Sequence, residues 1–493
     1  MQTLAPLAPP RPEPAAGTTV RDRRPTRWLC WLVPAMVTGV VVAVRAGTPG
    51  PWRDELATWS AAHRTVPQIV ELGRHIDGVT VPYYLLAHVM AGFGDSILVL
   101  RLPSMLAATA TAAVTALLAR RLWDPRAAFV AGLLVAAMPV VSRYGQEARG
   151  YALAALFAVT ATLFLLRALG SGRWWDWLAY ATSVLFLGWS HQLALLLLLG
   201  HAVTVAVIKR RALFAWLAGV AVAATGVLPF TLLGVGQHAA QLDWLSPAEP
   251  ADLADVAGTI FLSGVIGGAV CALALMALRG RDRRASLLFV SALLPVLTLY
   301  AIDQLVTPMF VGRYLVFVVP LLCALAGRAL ADLRLPLGLT AVLVLAAIGL
   351  PLQEDIRRTH SGSDYRQAAA MIHAQSRPGD GIIYAPRAGW HFTDIALRYY
   401  LGDDVPKDVL LQSDEVANAS LWATECAGPA ACLAGTDRVW TLSGDDLETG
   451  RRAGSTDQLT PAQQAVLNGS FRQMSQARVD GFTLALFVRR ASR

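Results

Sequence analysis

Long apolar runs, repeated along the chain and broken by short arginine-bearing turns, restrict this sequence more than any other feature. A run of 18 or more apolar residues can cross a bilayer, because about 20 residues at roughly 1.5 Å each span the hydrocarbon. Lipid offers no partner to backbone N–H and C=O groups, so such runs must be helices. Over 493 residues, 55% are hydrophobic and only 15% are charged. A soluble chain carries about 25% charged residues, so the deficit points to many spans and not to one large core.

Eleven spans give the most consistent threading, near 28–46, 101–119, 127–143, 151–168, 174–190, 192–208, 212–234, 257–278, 285–302, 314–330 and 335–352. With the N-terminus inside, the cytoplasmic turns hold Arg120/Arg121/Arg126, Arg173, Lys209/Arg210/Arg211, Arg279/Arg281/Arg283/Arg284 and Arg328/Arg334. The opposite loops are poorer in arginine and carry Asp, Glu, His and Trp, as the positive-inside rule requires. The net charge of +8 therefore belongs to membrane topology and does not imply a nucleic-acid partner. Two lysines against forty arginines suggest a high-GC bacterial source.

Residues 1–27, rich in Pro and Arg, read as a disordered cytoplasmic tail. Trp28–Ala46 reads as a signal anchor without a cleavage site. Pro82–Phe93 is apolar but too short to cross, so the outer loop 47–100 is expected to hold interfacial helices on the outer leaflet. The expected membrane domain is thus 28–352. From 353 to 493 the composition becomes polar, and an odd number of spans puts this region outside the cell. Gly381–Ala385, Arg438–Leu442 and Phe482–Val488 read as buried strands, and Asp364–Ser376, Phe392–Leu401 and Pro461–Gln476 as helices. The fold class is mainly α, with a small extracytoplasmic α/β domain at the C-terminus. Cys426 and Cys432 fit a disulfide if that domain is outside; zinc is disfavoured because no His lies nearby. Cys30, Cys271 and Cys323 read as small core residues.

The first outer loop opens Pro51-Trp-Arg-Asp-Glu-Leu-Ala-Thr-Trp59. Adjacent carboxylates Asp54 and Glu55 beside a membrane suit general-base work, one accepting a proton while its neighbour tunes it. A solvated acidic turn is the plain alternative. In the second outer loop, Ser142-Arg-Tyr-Gly-Gln-Glu-Ala-Arg-Gly-Tyr-Ala-Leu153, Arg143 and Arg149 can hold a phosphate or snorkel to headgroups. The same choice applies to Arg313. His191, where two short spans meet at the outer face, is either a hairpin residue or a functional one.

Together these segments resemble a known family. Arg53-Asp54-Glu55, Val81-Pro-Tyr-Tyr-Leu-Leu-Ala-His88, Leu100-Arg-Leu-Pro-Ser104, Gly145-Gln-Glu-Ala-Arg-Gly-Tyr-Ala-Leu153 and the hairpin with His191 are similar to the GT-C glycosyltransferases of the protein mannosyltransferase and aminoarabinose transferase type (glycosyltransferase family 39). The likeness covers 28–210 and thins towards Arg313-Tyr314. It implies the GT-C fold and inverting transfer of a sugar from a polyprenyl-phosphate donor to an extracytoplasmic glycan, glycolipid or protein. It also implies Asp54 as the base with Glu55 its acidic neighbour, Arg149 on the donor phosphate, and Tyr83 and Tyr84 at the sugar.

Arg313 and Arg143 are further phosphate candidates, and Gln146, Glu147, Tyr151 and His191 complete the expected pocket. No cofactor and no essential metal are expected, because no His/Asp pair has ligand spacing. Where the family often has His-Pro-Pro or Lys-Pro-Pro, this chain has Thr80-Val81-Pro82, leaving Arg74 or His75 to substitute. Two competing readings are a lipid-linked-sugar flippase, which needs mid-span charges these spans lack, and an inactive scaffold.

Overall fold

The computed structural model describes residues 28–237, 245–359, 362–447 and 449–491. The tail expected over 1–27 lies outside the described residues.

Each segment expected to span is helical. Among the described residues, six helices are long and apolar enough to cross a membrane, or seven if the bent pair Pro125–Ala137 and Pro139–Gly145 counts as one. Gln192–Gly234 enters that count as a single stretch, although Arg210 and Arg211 divide it where the sequence suggested two spans. Leu29–Ala43 and Gly264–Met276, with 15 and 13 residues, fall below the length criterion. The expected count of eleven is therefore not reached on length and composition. At about 1.5 Å per residue such helices are shorter than the hydrocarbon is thick.

Burial separates the helices into two kinds. Val319–Ala331 is buried on nearly every side and forms the centre of the main apolar core, with Pro125–Ala137 and Tyr151–Ser171 around it. The flanking helices instead expose Val40, Leu106, Phe214 and Leu343. A soluble protein rarely presents so much apolar surface; lipid is the medium that makes it stable.

The loop expected on the outer face, 47–100, forms three short helices, Arg53–Ala62, Val66–His75 and Val81–Ala91. Pro67 and Pro82 sit in the first turns of the latter two, where a missing N–H costs nothing. Their apolar faces, with Leu56, Ile69, Leu72 and Tyr84, share one core with Ile372, Ile382, Tyr384 and Trp440 of the C-terminal domain. Arg64 donates to the Ser420 carbonyl at 2.6 Å and Arg366 to that of Thr48 at 3.1 Å, adding polar ties across the junction.

The C-terminal domain holds a five-stranded sheet in the order β2-β1-β5-β7-β6 and a small β3-β4 ladder. The strands are β1 Gly381–Ala385, β2 Lys407–Asp408, β3 Leu411–Ser413, β4 Thr424–Glu425, β5 Arg438–Gly444, β6 Phe471–Val479 and β7 Phe482–Arg489. β1 runs parallel to β2 and β5, while β5, β7 and β6 are antiparallel. Cys426 and Cys432 form a disulfide. One expectation fails here: the helix from Pro461 stops at Ser470, and the rest of that segment is β6. As an edge strand, β6 exposes most of its residues on both faces, so it lacks the alternation that marks a half-buried strand.

Candidate active site

Asp54 stands in the first turn of helix Arg53–Ala62, next to a carboxylate with a different role. Glu55 is fully buried and accepts from Arg101 Nε at 2.8 Å and Nη2 at 2.6 Å, and from the Ala148 N–H at 2.8 Å. Arg101 also donates to the carbonyls of Ala46 at 2.7 Å and Pro49 at 2.9 Å. Five contacts thus tie the end of the first helix, the first outer loop and the second outer loop into one unit. Glu55 was expected beside Asp54 as a partner in catalysis; it points away and holds the loops together. A bidentate, charge-assisted pair of this kind also fixes orientation.

The second outer loop behaves similarly. Gln146 donates to the carbonyls of Val42 at 2.7 Å and Val44 at 2.9 Å, clamping the end of helix Leu29–Ala43. Ser104 holds the Arg149 carbonyl at 3.1 Å. A Cβ on Gly150 would lie 2.1 Å from the Ser190 carbonyl oxygen, so only glycine allows this loop to sit against the His191 turn. That close approach puts Arg149 and His191 on one wall.

The result is a cavity of about 910 Å³ between the outer loops and the C-terminal domain. Asp54, Arg149, Arg313, Tyr83, Tyr151 and His191 line it. His191 packs between the rings of Tyr151 and Tyr314, at 5.5 and 5.2 Å. Burial, then the charges of Arg149 and Arg313, lower its pKa to about 3, so its imidazole is neutral. Burial alone would pull the Arg149 guanidinium down; Asp54 first, then Tyr84, Tyr151 and Asp77, outweigh it and hold the cation firmly charged.

Five expected site residues do not line this cavity. Besides Glu55 and Gln146, Tyr84 is buried behind it and donates to Asp77 Oδ2 at 2.5 Å. Glu147 is buried 3.5 Å from Arg143, and burial, with Glu55 and Asp54 adding repulsion against the Arg143 charge, raises its pKa to about 7. Arg143 stacks over Trp52 at 5.1 Å and faces a separate surface pocket of about 550 Å³. The proposed substitutes for the missing basic residue also lie elsewhere: Arg74 pairs with Glu71 at 2.7 Å, and His75 bonds the Glu71 carbonyl, both exposed.

Asp77 was missed. It lines the cavity in a left-handed backbone conformation (φ 58°) beside Gly78, whose N–H donates to Gln237 at 2.9 Å. Its signal in the sequence is the Asp-Gly turn before the interfacial tyrosines. The roof comes from the C-terminal domain, where the segments after β1 and β5 contribute Trp390, His391 and Asp445. Among the described residues, no cluster of three or more His, Cys, Asp or Glu side chains could hold a metal ion.

This geometry can be set beside known proteins. The family model of dolichyl-phosphate-mannose-protein mannosyltransferases matches residues 78–232. ArnT from Cupriavidus metallidurans in the apo state superposes with a TM-score of 0.61 at 14% identity, over 94% of this chain and 98% of that one. The same protein bound to undecaprenyl phosphate superposes with a TM-score of 0.62 at 16% identity and the same coverage. The chain has the GT-C fold. No curated protein sequence matches it. In this fold the helical body and the sheet domain together enclose the cavity.

Proposed function

We propose that this chain is an inverting glycosyltransferase that moves a sugar from a polyprenyl-phosphate donor to an extracytoplasmic hydroxyl acceptor. The carrying observation is the opposition of charges in one cavity: Asp54 on the first outer loop, Arg149 on the second, and Arg313 on a third segment. Asp54 takes the proton from the acceptor hydroxyl as its oxygen attacks the anomeric carbon. The bond from that carbon to the phosphate oxygen breaks, and its electron pair leaves on the phosphate. Arg149 and Arg313 stabilise the charge that develops there. Attack opposite the leaving group inverts the anomeric centre. His191, neutral beside both arginines, adds no competing cation and can bond a sugar hydroxyl, while Tyr83 and Tyr151 line the pocket.

Two further features support this reading. The family model covers the segment from Gly78 through the His191 turn, and the ArnT structure of like fold was solved with undecaprenyl phosphate bound. The test is sugar transfer from a panel of polyprenyl-phosphate sugars, followed by detection of the released lipid phosphate. Asp54→Asn should lose about 10²- to 10⁴-fold in rate, the usual worth of a general base. Full activity in that variant would falsify the mechanism.

A further inference from the structure

The roof of the cavity is more than a cover. β1 and β5 lie side by side and parallel, but the chain leaves them in opposite directions. After β1 it passes through helix Thr393–Leu401 to β2; after β5 it passes through helix Pro461–Ser470 to β6 and β7 at the other side of the sheet. The two helices also pack on opposite faces, Ile395 and Leu397 against Ile382 and Trp440, and Leu467 against Ile383 and Val439. This is a topological switch point, where open α/β sheets form a ligand crevice beyond the carboxyl ends of the strands. The segments following β1 and β5 are the ones that line the cavity. The crevice of the C-terminal domain therefore opens directly onto Asp54.

Its side chains indicate what it takes. Trp390 is half-buried, held edge-on by Trp422 at 5.1 Å and Phe392 at 5.9 Å, while Trp422 donates to the Gly389 carbonyl at 2.8 Å. His391 lines the cavity at 4% exposure, and its Nδ1 has no hydrogen-bond partner. A Cβ on Gly444, at the end of β5, would sit 2.7 Å from the His391 ring, so glycine there seats the imidazole. Burial and the nearby Arg53 charge, opposed by a hydrogen bond to the Asp445 backbone, lower the His391 pKa to about 4, leaving a neutral ring whose Nδ1 is open to a ligand.

We propose that the C-terminal domain binds the acceptor, and that the acceptor is a carbohydrate whose ring lies on Trp390 and whose hydroxyl bonds His391. This rests on the transferase reading above. A pyranose has one flat C–H face for an indole and a rim of hydroxyls for a neutral imidazole. A peptide acceptor would instead use a sheet edge, and the edge strands β2 and β6 do not line the cavity.

The test uses the full chain in nanodiscs with three probes: a panel of neutral hexose and pentose di- to tetrasaccharides, a set of short Ser/Thr peptides, and undecaprenyl phosphate. At least one saccharide should bind wild type, and Trp390→Ala and His391→Gln should each bind it about tenfold more weakly. Both variants should keep their undecaprenyl phosphate affinity, which also shows that they are folded. Equal saccharide binding by wild type and both variants overturns the proposal. So does binding of Ser/Thr peptides in place of saccharides, or of no saccharide at all. Arg149→Ala probes the other reading separately: it should lose undecaprenyl phosphate and keep the saccharide, and unchanged lipid binding would sink the transferase reading alone.

Discussion

Asp54 and Glu55 are neighbours in one helical turn, yet they meet opposite surroundings. Glu55 is sealed from solvent and shares two short hydrogen bonds with Arg101. Asp54 keeps 15% of its side chain exposed, and its nearest cation is Arg53 at 3.9 Å. A helix directs consecutive side chains about 100° apart, so one faces the protein and the other the cavity. The closed pair holds the loops in place; the open one can exchange protons and meet a substrate. In a row of polar residues beside a membrane, the carboxylate with a perfect partner is the structural one.

That contrast can be broken at several points. The largest effect is expected from neutralising the open carboxylate. Asp54→Asn should lose 10²- to 10⁴-fold in transfer rate, roughly, while its thermal midpoint stays that of wild type; a fall in midpoint would make Asp54 structural as well. Next comes Arg101→Met, which strands Glu55 as an unpaired buried charge at a cost of about 3–5 kcal/mol. Yield and melting temperature should drop sharply. Adding Glu55→Leu should restore much of the loss, since apolar replacement of a buried pair is often neutral.

Glu147 gives a smaller effect with a definite sign. Its folded pKa of about 7 lies above the ordinary value of 4.5, so the folded state binds the proton more tightly. Its contribution is therefore most favourable below about pH 4.5 and declines as pH rises towards 7, by roughly 3 kcal/mol at most. Melting curves from pH 5 to 8 should fall with pH in wild type and be flatter in Glu147→Gln; equal slopes would contradict the shift. The smallest change is Arg149→Lys, which keeps the charge but loses the planar fork. The kcat/KM for a polyprenyl-phosphate sugar should fall about tenfold, with kcat lowered as well, and unchanged kinetics would remove Arg149 from the phosphate.

Much of this was legible in one dimension. The helical segments follow from apolar runs, because lipid makes composition and length nearly sufficient. β1, β5 and β7 were visible as short apolar strands because the sheet buries them on both faces. β6 was not, since an edge strand with exposed Arg472, Gln473, Met474, Ser475 and Gln476 has no alternation to read. Asp54 and Arg149 were found through local motifs. Asp77 was not, because its place in the cavity comes from a left-handed turn.

The sequence by itself determined where the helices lie and which loops between them are polar, because both depend on neighbouring residues and on the solvent they face. Only the tertiary structure decided which polar residues share a cavity. Glu55 finds Arg101 46 positions away, Gln146 finds the end of a helix 104 positions away, and both leave the site. Hydrogen-bond partners across such separations are set by packing, and no local pattern encodes them.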